Sequence, residues 1–180
     1  MNLDTLQTAV QAGQSFKYLF FWGHTPKQET VTDKSCFSQW FPSPFEVDGV
    51  VYPTAEHFMM AGKARLFHDK EILPKILNAS HPNEAKKLGR LVANFDGPTW
   101  EQHRFEIVVK GNLAKFAQNE PLRKFLLNTG DRILVEASPY DRIWGIGLAA
   151  DDVKAQDPLQ WRGLNLLGFA LMAVRSNLAN

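Results

Sequence analysis

The stretch YPTAEHFMMAGKARLF, residues 52–67, decides how the rest of the chain is interpreted. Thr54 suits the N-cap of a helix, because its hydroxyl can accept a hydrogen bond from an otherwise free amide of the first turn. Met60 and Phe67 lie seven residues apart, which places both on one side of that helix. The stretch is therefore predicted to be a helix that packs an apolar face into the protein.

The same helix carries two ionisable residues on one side. Glu56 and Lys63 are also seven residues apart, so they lie within roughly 20° around the helix axis and about 10 Å along it. In one interpretation the two long side chains converge on a bound molecule. In the other, Glu56 favours the positive end of the helix dipole and Lys63 extends past Met59 and Met60 to water. The spacing leaves both interpretations open.

Composition predicts a single folded domain. The 180 residues are 44% hydrophobic and 12% aromatic, which excludes a disordered chain. A net charge of +1 gives no general sign of polyanion binding. One cysteine, Cys36, excludes an internal disulfide and favours a reducing compartment. With no signal peptide or membrane-spanning run, a cytoplasmic domain over residues 1–180 is expected, with residues 1–15 as a peripheral helix.

The elements predicted along the chain are mostly helical. Two strands are expected at 17–22 and 132–138, and FEVDGVVY (45–52) is typical of a hairpin with an Asp-Gly turn. The expected helices span 3–12, the segment from the Thr54 cap to residue 67, 69–80 with a break near Pro74, 83–92, 98–118, 121–130 and 161–178. The inward stripe predicted for the longest helix contains Phe105, Val108, Val109, Asn112, Leu113 and Phe116. The fold class is a mainly helical α+β domain, without the regular βα alternation of a doubly wound sheet.

A second cluster of interest is SPYDRIWGIGL, residues 138–148, which follows the second strand. Tyr140, Asp141 and Trp144 combine aromatic rings with a carboxylate, a combination that suits a planar base or a sugar. Gly145 would let the backbone approach a ligand closely. The alternative is a tight turn with a buried tryptophan, and the sequence leaves it open.

Other candidate residues are weaker. Trp22 and Trp100, taken singly, are more often core residues than ligand contacts. The five histidines show no metal-binding spacing, so we expect neither a metal nor another cofactor. The glycines form no dinucleotide fingerprint, and neither a phosphate-binding P-loop nor a nucleophile elbow is present.

Three stretches together resemble the NADAR family of YbiA-like N-glycosidases. They occur in the family's order over roughly residues 18–178, and they are YPTAEHFMMAGKA (52–64), SPYDRIWGIGL (138–148) and WRGLNLLGFALMAVR (161–175). The resemblance implies a mainly helical fold and hydrolysis of N-glycosidic bonds. One branch of the family acts on ribosylamino-pyrimidine phosphates of riboflavin synthesis, and another removes ADP-ribose from guanine in nucleic acid.

The resemblance also implies the site. It makes Glu56, Lys63 and Asp141 the catalytic residues. The residues expected to contact the substrate are Trp22, Gln39, Trp100, Trp144 and Gly145. Two positions depart from the family pattern, since Gln39 stands where relatives often have Asn and Ile146 where some have Asp. The expected partner is a small phosphoribosyl or ADP-ribosyl substrate, with ADP-ribosylated nucleic acid as an alternative and no membrane or metal.

Two chemical routes fit these residues. In one, Glu56 and Asp141 act as acid and base around an oxocarbenium-like C1′. In the other, which we favour, the sugar ring opens and Lys63 forms a Schiff base with C1′. A phosphate would need a cation, and the sequence does not choose among Lys17, Arg104 and Arg162. A module that binds ADP-ribose or a nucleotide without catalysis is the alternative outside enzymes.

Overall fold

The computed structural model describes residues 1–28 and 30–179. The chain divides into two compact units, one made of residues 39–123 and the other of residues 1–38 and 124–180. Both units are built mainly from helices and short strands. This confirms the mainly helical α+β fold class, while the expectation of a single domain over 1–180 stays a prediction.

The unit of residues 39–123 holds a hairpin and four complete helices. Its elements are β2 (Phe45–Val47), β3 (Val50–Tyr52), α2 (Ala55–Leu66), α3 (Leu73–Leu77), α4 (Pro82–Gly89) and α5 (Gly97–Gln118). The antiparallel strands pair Phe45 with Tyr52. Asp48 and Gly49 both adopt positive φ, at 53° and 77°, as a two-residue turn matched to the strand twist requires. The hairpin prediction is confirmed.

Helix α2 lies at the centre of this unit. Thr54 is its N-cap, as predicted, and its side chain accepts a hydrogen bond from the backbone N–H of His57. The helix packs against α5 and α4. A Cβ on Gly111 of α5 would come within 2.5 Å of the Phe58 ring, so this glycine permits the close approach of the two helices. Neighbours on several sides bury α2 from Ala55 to Ala61, including its polar residues.

The other unit is organised around two parallel strands. Strand β1 (Tyr18–Phe21) pairs with β4 (Ile133–Glu136) in the register Tyr18 to Ile133. The helix α7 (Leu166–Ala179) packs on β4. The N-terminal helix α1 (Leu3–Gln11) buries Leu6, and α6 (Glu120–Leu127) crosses the boundary between the units in sequence.

Several sequence predictions were wrong in detail. The helix expected over 69–80 is only the short α3, and Pro74 lies in its first turn rather than at a break. The last helix starts at Leu166 rather than at residue 161, because the backbone N–H groups of Arg162, Leu164 and Asn165 donate to carbonyls of the 142–146 loop. On α5, Phe105, Val109 and Leu113 are only half-buried. The fully buried residues of α5 are Arg104, Val108, Gly111, Asn112, Lys115 and Phe116. None of the described helices is long and apolar enough to cross a membrane.

Candidate functional site

His57 is a structural residue of α2. Its Nδ1 lies 2.8 Å from the Thr54 hydroxyl, and its Nε2 lies 3.0 Å from the carbonyl oxygen of Ala79. Since a carbonyl can only accept, Nε2 carries the proton and Nδ1 accepts from Thr54. Burial lowers the pKa of His57, although the bond to Ala79 opposes this shift. The imidazole is therefore held neutral between two fixed partners.

Glu56 is buried in the first turn of α2, where only 3% of the residue is exposed. Its backbone N–H donates to the carbonyl oxygen of Gln39 at 2.9 Å. The side chain of Gln39 in turn accepts, through Oε1, a 2.8 Å hydrogen bond from Nδ2 of Asn112 on α5. Gln39 thus fixes the start of α2 with its backbone and reaches α5 with its amide.

Lys63 lies seven residues later, half-buried, in an aromatic environment. Its Nζ donates to the carbonyl oxygen of Gly89 at 2.8 Å. The same nitrogen lies 4.2 Å from the ring centre of Phe95 and 5.7 Å from that of Trp100. Burial lowers the pKa of Lys63, and the nearby positive charge of Arg90 lowers it further. The fraction of neutral, nucleophilic amine is therefore larger than for an ordinary surface lysine.

The burial of two charged residues of α5 was not predicted from the sequence. Arg104 was considered only as a cation for a phosphate and Lys115 was given no role, whereas Asn112 was expected on the inward stripe. The structure buries all three, with Asn112 and Lys115 fully covered. The spacing of 104, 108, 112 and 115 follows the helical period and was the available signal. It was overlooked because charged residues are almost never fully buried unless they are paired.

In the other unit, the parallel strands bring two loops to one edge. The carboxyl ends of β1 and β4 are followed by Trp22 and by the 138–148 loop. Trp22 is 56% exposed and its ring centre lies 6.0 Å from that of Tyr140, which is 87% exposed. Exposed aromatic rings at the carboxyl edge of parallel strands suit the binding of planar ligands.

Asp141 organises the 138–148 loop from within. Its Oδ1 accepts hydrogen bonds from the backbone N–H groups of Ile143 at 2.8 Å and Trp144 at 2.7 Å. Gly145 is buried, and a Cβ there would come within 2.8 Å of the Glu136 carbonyl oxygen. Packing of the protein's own backbone therefore explains this glycine, and a substrate contact by Gly145 stays a prediction.

Asn165 is a further residue that sequence reasoning missed. It is fully buried and adopts a φ of 53°. Its Nδ2 donates to the Leu134 carbonyl and its Oδ1 accepts from the Glu136 N–H, both at 2.9 Å. The side chain therefore makes the hydrogen bonds to β4 that the backbone of a neighbouring strand would otherwise make. It anchors the end of β4, from which the loop of Asp141 starts.

The predicted site residues fall into two groups. Glu56, Lys63, Gln39 and Trp100 belong to the unit of residues 39–123, and Lys63 and Trp100 are in contact. The residues in the other unit are Trp22, Asp141, Trp144 and Gly145. That all eight form one site stays a prediction. Among the described residues, no group of three His, Cys, Asp or Glu side chains could hold a metal ion.

One cavity in the unit of residues 39–123, of about 380 Å³, contains none of these residues. It lies between the hairpin, α2 and α5, and its lining is Val47, Asp48, Val50, Tyr52, Phe58, Gly62, Arg65, Ile107 and Lys110. Arg65 there donates to the hydroxyl of Tyr52 at 2.7 Å. Glu56 and Lys63 occupy other positions of α2 and do not line this cavity.

Comparison with known proteins agrees with the sequence resemblance. The model of the NADAR domain family matches residues 20–179. The chain is 46% identical to the N-glycosidase R617 of Acanthamoeba polyphaga mimivirus, over 88% of this chain and 95% of that protein. It is 33% identical to the N-glycosidase YbiA of Escherichia coli (strain K12), over 83% and 85% of the two chains. The NMR structure of E. coli YbiA matches with a TM-score of 0.73 at 30% identity, covering 92% of this chain and 87% of that one.

Proposed function

Because this chain belongs to the NADAR domain family, we propose that it is an N-glycosidase of ribosylamino-pyrimidine phosphates. It would hydrolyse the C1′–N bond of such intermediates of riboflavin biosynthesis and release ribose 5-phosphate. Family membership and the relatives named N-glycosidases support a hydrolase of N-glycosyl bonds. The proposed route within that class rests on the chemistry of Lys63, and the net charge of +1 favours a small substrate over nucleic acid.

The environment of Lys63 is the observation that carries the proposal. A half-buried amine against Phe95 and Trp100, with a lowered pKa, is suited to attack a carbon that has carbonyl-like character. A ribosylamine supplies such a carbon when its ring opens, because C1′ then forms a double bond to the amine nitrogen. A binding module would have no use for a nucleophilic lysine.

The proposed reaction is an exchange of amines at C1′ followed by hydrolysis. The nitrogen lone pair of the ribosylamine expels the ring oxygen, which takes up a proton, and a protonated imine results. Neutral Lys63 adds to C1′, a proton passes from Nζ to the substrate nitrogen, and the aminopyrimidine leaves. The Lys63 imine then adds water at C1′. Collapse of that adduct returns the amine and releases ribose 5-phosphate as the aldehyde.

We assign the proton transfers to Glu56. It lies on the same helix as Lys63, two turns before it, and is buried, so its carboxylate is shielded from bulk water. Asp141 would position the sugar hydroxyls. Trp22, Trp100 and Trp144 would enclose the base and the ribose, with Gln39 as a polar contact to the base. These roles are parts of the proposal.

The experiment is to incubate the purified protein with a ribosylamino-pyrimidine phosphate and to measure free ribose 5-phosphate. Wild-type protein should release it, and Lys63→Met should lose at least 100-fold in kcat/KM. Lys70→Met, which changes an exposed lysine four residues beyond α2, is the matched control and should keep full activity. Release of ADP-ribose from ADP-ribosylated guanine in DNA, with no product from the pyrimidine, would replace the proposed substrate. Binding without product from either would favour the non-catalytic module.

A further inference from the structure

Arg104 is a buried cation on α5 with little compensation. Only 8% of the residue is exposed. Its Nη1 lies 3.9 Å from Oε1 of Glu101, whose side chain is 67% exposed. Its Nε is buried and has no hydrogen-bond partner in the described protein. The guanidinium of Arg104 therefore has one nitrogen near an exposed carboxylate and one buried N–H donor that is not satisfied.

A buried, poorly paired cation destabilises the folded protein unless a group of opposite charge binds it. Removing a charge from water costs several kcal/mol, and a weak contact with an exposed carboxylate returns little of it. Nε, the buried donor without a partner, shares its edge of the guanidinium with Nη2, and these two nitrogens present two parallel N–H donors. That geometry matches two oxygens of a phosphate or a carboxylate. The unsatisfied donor points to an anionic ligand as the missing partner.

The position of Arg104 connects it with the reactive amine. It follows Trp100 by four residues, so the two side chains are neighbours on one face of α5, about one helical turn apart. The ring of Trp100 lies 5.7 Å from Nζ of Lys63. From the contact of Lys63 with Trp100 and the helical spacing of Arg104, we infer a row of amine, aromatic ring and guanidinium. A molecule that places its reactive carbon at Lys63 and lies along Trp100 would bring its far end to Arg104.

We propose that Arg104 binds the phosphate of the substrate through its Nε–Nη2 edge. The inference rests on the proposed function for the identity of the substrate, but the anion site itself rests on the burial and the unsatisfied donor of Arg104. The other two cations considered from the sequence, Lys17 and Arg162, are exposed and solvated, and they lie in the other unit. The row also assigns the sugar ring to Trp100, between phosphate and amine.

Thermal unfolding with and without ribose 5-phosphate tests the anion site without any turnover. The wild-type Tm should rise with ribose 5-phosphate concentration and should not rise with ribose at matched ionic strength. In Arg104→Met this rise should disappear. Lys17→Met removes an exposed cation and should keep the wild-type response. A full response to ribose 5-phosphate in Arg104→Met would overturn the proposal.

Kinetics with and without the phosphate test the role in selectivity. We expect the wild type to prefer the phosphorylated ribosylamino-pyrimidine over its dephosphorylated form by at least 10-fold in kcat/KM. In Arg104→Met that ratio should fall towards one, mainly through KM for the phosphorylated substrate. Arg104→Lys keeps the positive charge but lacks the two parallel N–H donors, and it should give an intermediate ratio. An unchanged ratio in Arg104→Met would contradict the proposal. If the wild type hydrolysed neither compound, the proposed function would fail and the Tm comparison alone would decide the role of Arg104.

The variant is expected to fold, because an apolar side chain of similar length replaces an incompletely paired buried charge. Without ligand, the Tm of Arg104→Met should equal or exceed that of the wild type. If Arg104→Met does not fold, Arg104→Gln provides the same two comparisons with a neutral polar side chain. A Tm of either variant well below that of the wild type, together with a retained response to ribose 5-phosphate, would assign Arg104 a structural role instead.

Discussion

The Nζ of Lys63 donates a 2.8 Å hydrogen bond to the carbonyl oxygen of Gly89, the last residue of α4. The carboxyl end of a helix favours a cation, whereas the positive charge of Arg90, the next residue, disfavours one. The pKa of Lys63 is lowered, with burial as the largest cause and Arg90 as the second. Burial and Arg90 therefore outweigh the helix end, and the amine keeps a donor for Gly89 in its neutral form.

Arg90 is expected to tune the reactivity of Lys63. Removing its charge in Arg90→Gln should raise the pKa of Lys63, because a neighbouring cation no longer penalises protonation. Since the proposed attack needs neutral Lys63, the acid limb of the kcat/KM profile should move to higher pH. At a pH below that limb the variant should be several-fold slower than the wild type, and at high pH the two should converge. A pH–rate profile measures this shift.

Lys87→Gln is the matched control for Arg90→Gln. Lys87 is an exposed cation in the last turn of α4. The pKa of Lys63 is lowered by burial and by Arg90, and not by Lys87. Its substitution should leave the acid limb in place. Equal shifts in both variants would show a general effect of surface charge and would remove Arg90 from the account.

His57 should make the protein sensitive to mild acid. Burial lowers its pKa below 6.5 in the folded state. The unfolded chain therefore binds more protons between that folded pKa and 6.5, so stability is complete above pH 6.5 and falls as pH decreases through this window. Denaturant unfolding at several pH values measures the slope. His57→Gln should be less stable at neutral pH but lose this slope, whereas substitution of the exposed His103 should keep it.

Gly145→Ala should disturb the loop that carries Asp141. The added Cβ would lie 2.8 Å from the Glu136 carbonyl oxygen and 3.0 Å from that of Asp141, and backbone atoms cannot move aside easily. We expect a loss of roughly 1–3 kcal/mol in the free energy of unfolding. Gly97→Ala is the control, since open space surrounds Gly97. That change should be neutral or stabilise by about 0.4–1 kcal/mol. Equal effects at both positions would exclude crowding as the reason for Gly145.

Asn165→Ala should destabilise the end of β4. It would leave the buried N–H of Glu136 and the carbonyl of Leu134 without their side-chain partner, at about 1–3 kcal/mol each. Thermal or denaturant unfolding should show a loss of roughly 3 kcal/mol. Asn177→Ala removes one exposed hydrogen bond within α7 and should change the free energy by less than about 0.5 kcal/mol. A small effect at Asn165 would show that water replaces its hydrogen bonds.

Local sequence signals predicted the local structures well. The Asp48-Gly49 turn and the Thr54 cap depend on residues that are neighbours in the chain, and both are present in the structure. The long α5 was also expected, within a residue of its observed start at Gly97. The Schiff-base route requires a neutral amine, and the lowered pKa of Lys63 is compatible with it.

Local sequence signals gave wrong predictions where contacts between distant segments determine the structure. Residues 161–165 have a helical pattern, but their amides bond to carbonyls of the 142–146 loop, which no local pattern reveals. The parallel pairing of β1 with β4 joins segments more than a hundred residues apart. Arg104 is buried because α5 turns that side inwards. The sequence therefore could not select it over Lys17 and Arg162 as the proposed phosphate-binding cation.

Reductive trapping would show directly whether Lys63 forms an imine with the substrate. Protein is incubated with a ribosylamino-pyrimidine phosphate in the presence of sodium borohydride, which reduces an imine to a stable amine, and its intact mass and peptide masses are measured. We expect one added reduced ribose phosphate per chain, located on Lys63 and absent from Lys63→Met. Release of ribose 5-phosphate with no adduct, and with Lys63→Met still active, would contradict this expectation.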